Sequence, residues 1–372
     1  MENYNLDNFE PAARIVVIGV GGAGNNAVNR MIDEEIQNVE FFVANSDKQA
    51  LSTSKARNRI ILGEEITGGL GAGGEPEIGE KSAEASADTI KEIVKGANMV
   101  FIAAGMGGGT GTGAAPVIAK IAKDAGALVI AIVTRPFTFE GKKRIVNSID
   151  GLNKLRANVD SIIVVSNDKL LMTSGNSPIS QAFNESDKVL AQSVKTVVNL
   201  ILLPAVINLD FADVRNTLKD AGVSLIGFGQ GSGANRAKDA ANNAISSPLL
   251  EASITGARRA IVSVTCGPNV SLFDAQETVN LLIDASGHDI DVKFGVSIND
   301  QLDDEILVSV IASDFEEEVD FSQPSIFNLP PRDRDDVLSS QNDDDILRPA
   351  EEEKKDESTI TDESILPDFL KD

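Results

Sequence analysis

Short apolar runs bounded by glycine or polar residues punctuate the first half of the chain, at residues 15–18, 41–44, 99–103, 128–133 and 162–165. Each run is rich in β-branched residues and uninterrupted, as in strands covered on both faces, and helical stretches lie between them. This alternation predicts a doubly wound parallel α/β sheet. Phe183, Val189, Leu190, Val194, Val197, Val198, Ile201 and Leu202 then repeat at helical spacing across residues 178–203, and Pro204 ends the pattern. Further strands at 261–265, 292–296 and 306–311, with a helix over 274–285, predict a smaller second unit. The long helix reads as a spine between the two.

Composition changes the picture only after residue 313. Residues 314–372 hold 20 acidic and 6 basic side chains, more than half of the chain's formal charge of −24. So few aliphatics cannot offset chain entropy, which predicts disorder. Ile365, Leu366, Pro367, Phe369 and Leu370 then return apolar side chains within six residues, a pattern suited to a docking peptide.

Charge and residue types narrow the chemistry. With 57 acidic against 33 basic residues, no Trp and one Tyr, the chain is poorly suited to nucleic acid, and apolar stretches such as residues 200–207 fall far short of the roughly 20 residues that direct membrane insertion needs. A single Cys, Cys266, excludes an internal disulfide and suits a reducing compartment, while a lone His, His288, disfavours His-based metal sites and a Ser-His-Asp triad. The polar, acidic first ten residues do not read as a signal peptide, so a cytoplasmic location is expected.

Three glycine clusters carry the strongest signal. Gly19, Gly21 and Gly24 fit G-x-G-x-x-G between a strand and a helix, where backbone N–H groups can approach a phosphate. Residues 105–113 contain six glycines, a density that implies close backbone approach to a ligand, and Thr110 and Thr112 add hydroxyl donors. Residues 68–74 form a third cluster, and three such loops at strand ends would converge on one polyphosphate. The P-loop pattern is absent, because Glu80 separates Gly79 from Lys81; residues 167–170 also break the Asn-Lys-x-Asp order. A dehydrogenase is the rival enzyme reading, using the first loop with Asn45 or Asp47 on a ribose, but it leaves the other two loops without a role.

The Gly-Gly-Gly-Thr-Gly-Thr-Gly run at 107–113 resembles the signature loop of the tubulin/FtsZ superfamily in its bacterial form. The resemblance extends through residues 19–26, 69–76, 134–141 and 208–214 and covers about residues 13–315 with the terminal peptide. It implies a GTP-binding domain (13–178), a central helix (179–203) and a C-terminal activation domain of α+β type (204–315). A disordered acidic linker (316–360) and a docking peptide (361–372) would follow.

The resemblance also implies residue roles. Gly21, Gly22, Ala23, Gly24, Asn25 and Asn26, with Gly105, Gly107, Gly108, Gly109, Thr110 and Gly111, would line the phosphates. Gly71, Ala72 and Gly73 would approach the γ-phosphate, Glu140 and Arg144 the ribose and phosphate region, and Asn167, Phe183 and Asp187 the guanine. Asn208, Asp210 and Asp213 would act on the GTP of the next subunit, although helix capping by itself explains one of the carboxylates. GTP or GDP and Mg²⁺ are the implied cofactors, with K⁺ a candidate second cation; which residues would hold a metal stays open. The implied partners are further copies of the chain, head to tail in protofilaments of a division ring, and a membrane-attached adaptor such as an FtsA-like protein docked by Leu366, Pro367, Phe369 and Leu370. Two positions depart from the bacterial pattern: Lys188 follows Asp187 where Asn or Asp is common, and Ala205 replaces a Gly.

Overall fold

The computed structural model describes residues 13–174, 179–202, 205–247, 250, 253–287 and 290–315. The expected linker and docking peptide, with Leu366, Pro367, Phe369 and Leu370, lie outside these residues, as do His288 and Pro204.

Among the described residues, the strands are β1 (Ile15–Val20), β2 (Glu40–Asn45), β3 (Asn58–Ile61), β4 (Met99–Gly105), β5 (Leu128–Arg135), β6 (Ser161–Ser166), β7 (Gly222–Gly231), β8 (Ala257–Cys266), β9 (Asp291–Ile298) and β10 (Ile306–Phe315). They hydrogen-bond in the order β3-β2-β1-β4-β5-β6-β7-β10-β8-β9. Strands β1 to β6 are parallel to their neighbours, whereas β10 runs antiparallel between β7 and β8. The two halves are joined by strand pairing as well as by the spine, because Ser161, Ile162 and Ile163 of β6 pair with Gly222, Val223 and Ser224 of β7.

The helices are α1 (Gly21–Asp33), α2 (Lys48–Ser52), α3 (Glu64–Thr67), α4 (Pro76–Ala85), α5 (Ala87–Val94), α6 (Thr110–Asp124), α7 (Lys142–Arg156), α8 (Asn167–Ser174), α9 (Ile179–Leu202), α10 (Phe211–Leu218), α11 (Arg236–Ile245) and α12 (Leu272–Ser286). Among the described residues, no helix is long and apolar enough to cross a membrane.

Alternation along the strands separates two cores, as a doubly wound sheet requires. Val16, Ile18, Ile102 and Val129 face Ala83, Ile90, Ile118 and Leu152 of α4 to α7. Ile15, Val17, Phe101 and Ile130 face Val28 and Met31 of α1 and Leu190, Val194 and Val197 of α9. That second core continues into Ile226, Ile261 and Ile311, so α9 buries its apolar stripe against both halves. On the other side of the C-terminal strands, α11 and α12 cover Val262, Val264, Val308 and Val310.

Strand β7 is glycine-rich for a packing reason. A Cβ at Gly227, Gly229 or Gly231 would collide with a backbone carbonyl oxygen of α11, at Ala244, Ala240 and Arg236 respectively. The bare strand lets that helix lie directly upon it.

Candidate functional site

Strand order reverses between β1 and β4, and the helices that follow them pack on opposite faces of the sheet. A crevice at the carboxyl ends of those strands is the consequence. It holds a cavity of about 440 Å³, lined by Gly22, Ala23 and Asn26 of α1 and by residues of the β4–α6 loop.

Helices α1 and α6 both begin at this crevice, after Val20 and Gly109, and neither N-terminus has a side-chain cap. Their first-turn N–H groups and aligned dipoles therefore favour an anion. Gly21 has φ +72°, and a Cβ there would lie 2.8 Å from Gly111 N, so the two glycine loops touch. Gly22 and Gly108 differ: each lines the cavity, and a Cβ on either would meet nothing within 4 Å. No protein atom excludes a side chain at these two positions, which fits loops shaped around a ligand.

Other residues of the loops shape the cradle without lining it. Gly19 and Gly24 allow α1 to pack against β1 and β4. Asn25 is buried, and with its amide oriented to suit its neighbours it donates to Gly19 O (3.0 Å) and Gly21 O (2.9 Å). Gly107, at φ +109°, donates its N–H to Thr112 Oγ1 at 2.8 Å. Thr112 is consequently buried inside its own loop, which corrects its expected role as a donor to ligand. The Thr110 hydroxyl lies 2.7 Å from Ser46 Oγ, and Thr110 does line the cavity. Gly71, Ala72 and Gly73 do not line it; their loop lies behind Gly109, whose Cβ would fall 2.9 Å from Ala72 Cβ.

Glu140 and Arg144 form one wall and pair with each other across a helical turn. Glu140 also accepts from Phe137 N at 2.9 Å. Asp168 accepts from Thr138 N and Oγ1, at 2.9 and 2.6 Å, tying this wall to the start of α8. At the far end lie Asn167, Phe183, Ser186 and Asp187. Phe183, half exposed, lines this end of the cavity and meets Phe137 in a T-shaped contact with centroids 5.0 Å apart. Burial pushes the Asp187 carboxyl up to about 7, with the Arg30 charge pulling the other way.

Asn208, Asp210 and Asp213 do not line this cavity. Asn208 Oδ1 accepts from Ala205 N at 2.7 Å, and Asp210 caps α10 by accepting from Asp213 N at 2.8 Å. Asp213 reaches back to Asp210 N, completing a capping box. Fifteen residues of α9 separate Asp187 from Leu202, about 23 Å of helix axis, before the chain reaches this acidic turn. Asn45 and Asp47 do not line the cavity either; Asp47 caps α2, which removes the support for the dehydrogenase reading.

Thr134, Pro136 and Met106 line the cavity from within the runs 134–141 and 105–113, although no individual role was expected of them, and Ser186 lines it from outside every motif. The Ser186 type carries no phosphate or base signal; only its phase on α9 could have found it.

Residues 14–175 match the GTPase domain of the Tubulin/FtsZ family, and residues 222–316 match the FtsZ family C-terminal domain. An empty FtsZ dimer from M. jannaschii is 39% identical at TM-score 0.78, covering 83% of this chain and 90% of that one. A point mutant of the M. jannaschii FtsZ is 39% identical at TM-score 0.79, over 83% of this chain and 93% of that one. CetZ2 from Haloferax volcanii, described as a GTPgS-bound protofilament, shares the fold at 21% identity and TM-score 0.72, over 88% and 99% of the two chains. Cavity, topology and sequence thus lead to one conclusion: the chain belongs to the Tubulin/FtsZ family of GTPases.

Proposed function

We propose that this chain is a GTPase whose active site is completed by a neighbouring copy, so that it polymerises head to tail into protofilaments of a bacterial division ring. One observation carries this reading: the acidic turn lies beyond the far end of the helix whose first turns line the nucleotide cavity. Asp210 and Asp213 line no part of their own subunit's cavity, which supports a role for them on the nucleotide of a neighbour. A heterologous contact that repeats without closing brings them to the next one and generates a filament.

In this scheme the N–H groups of residues 21–23 and 108–111 bind the phosphates, Arg144 neutralises charge, and Phe183 stacks on the base. Asp187 accepts from the two N–H groups on the guanine edge, for which adenine has no counterpart. Asn208, Asp210 and Asp213 of one copy orient and polarise the water that attacks the γ-phosphate held by the next. Mg²⁺ would neutralise phosphate charge during transfer. Among the described residues no group of three or more His, Cys, Asp or Glu converges. Loss of the γ-phosphate weakens the contact and gives turnover. The acidic residues 316–360 tether the terminal peptide, which docks on a membrane-attached adaptor from the cytoplasmic side.

The test is phosphate release from GTP with Mg²⁺ and K⁺ over a series of protein concentrations, with pelleting of the same samples. Turnover and pelleted mass should rise together above a threshold concentration. Specific turnover that stays constant down to the lowest concentration overturns the shared site.

A further inference from the structure

Asn167 and Ser186 meet at the end of the cavity assigned above to the base, one opening α8 and the other on α9. The Ser186 hydroxyl is buried and donates to Asn167 Oδ1 at 2.9 Å, its one hydrogen bond among the described residues. A buried hydroxyl proton needs an acceptor. Ser193, on the same helix, finds one in the backbone at Val189 O (2.7 Å), whereas Ser186 commits its proton to the asparagine. The carbonyl end of the Asn167 amide is thereby occupied. Its Nδ2 has no hydrogen-bond partner among the described residues, although Asn167 is itself buried and lines the cavity.

We propose that Ser186 is a positioning residue that sets base specificity: by holding Oδ1 it presents the Asn167 amide to the base as a donor. A donor at this place suits the carbonyl at C6 of guanine and opposes the exocyclic amine at C6 of adenine. Consecutive residues of α9 then divide the selection, Ser186 fixing the donor through Asn167 and Asp187 supplying the acceptor. The inference rests on the guanine-site reading of the preceding section. Without the hydroxyl, the amide is free to turn and offer Oδ1 to an amine.

Affinities of the full chain for GDP, ADP and inosine diphosphate, measured by calorimetry, test this. Inosine keeps the C6 carbonyl and lacks only the 2-amino group that faces Asp187. Ser186→Ala, a substitution that suits a helix, should narrow the preference for GDP over ADP by about fivefold, one neutral hydrogen bond. It should leave the preference for GDP over inosine diphosphate within about twofold, since that ratio depends on a different bond. In an Asn167→Ala background, Ser186→Ala should change neither ratio. An unchanged GDP-to-ADP ratio in Ser186→Ala, while Asp187→Asn still reduces the preference for GDP over inosine diphosphate, overturns the role of Ser186 alone. Failure of Asp187→Asn to change that second ratio overturns the guanine reading and this inference with it.

Discussion

Asp187 should make nucleotide affinity depend on pH near neutrality. Burial holds its carboxyl at about 7, so near pH 7 about half of the molecules carry a proton where the guanine edge requires an acceptor. If only the ionised form binds, the apparent dissociation constant scales as one plus the ratio of protonated to ionised Asp187. That factor is about 11 at pH 6 and about 1.1 at pH 8, a tenfold gain in GDP affinity over two units. Calorimetry with GDP, which avoids turnover, measures the profile. Asp187→Asn removes the titration and one charge-assisted acceptor, so its affinity should fall tenfold or more, about 1.5 kcal/mol, while its profile flattens. The terminal phosphate of GDP titrates equally in both proteins, so the difference between profiles isolates Asp187. Parallel profiles, or undiminished affinity in the variant, would refute the assignment. The same shift acts oppositely on stability without nucleotide. The folded chain retains a proton that the unfolded chain has released, so stability should decline as pH rises from about 4 to about 7.

Two glycine substitutions should part company. Gly22→Ala meets nothing in the protein and should keep thermal stability within about 0.5 kcal/mol, yet lower nucleotide affinity at least tenfold because its methyl enters the cradle. Gly229→Ala drives a Cβ into Ala240 O and should cost about 3 kcal/mol or more in urea unfolding without touching the cavity. Asp210→Ala removes a helix cap and should cost about 1 kcal/mol in the same assay, in addition to any loss of turnover. Deleting residues 364–372 should leave pelleting with GTP intact and abolish binding to the membrane-attached adaptor; failure to polymerise would contradict the docking-peptide reading.

The parallel half of the sheet was legible because its strands are buried on both faces and announce themselves as unbroken apolar runs. Strand β3 escaped, since at the sheet edge only Ile60 is buried and Asn58 and Arg59 face outward. Strand β7 escaped for the opposite reason: the glycines that seat α11 read as loop residues, and with β7 went the ladder that joins the two halves. The phosphate cradle was legible from glycine density, but each glycine's task was not. Gly24 serves helix packing, Gly21 lets two loops touch, and Gly22 leaves room for a ligand, distinctions that depend on atoms distant in sequence. Ser186 has the same character, because its meaning comes from Asn167 at the start of α8 rather than from its neighbours along α9.

The central claim is that turnover needs two copies, one holding GTP and the other supplying the acidic turn. Mixing two inactive variants tests it most directly. Asp213→Ala keeps the cavity and loses the acidic turn, while Gly108→Leu fills the phosphate end and keeps the turn. At equal amounts and random order, about one junction in four pairs a working cavity with a working turn, so phosphate release should recover to about a quarter of the wild-type rate. A mixture no more active than the sum of its parts would contradict the account.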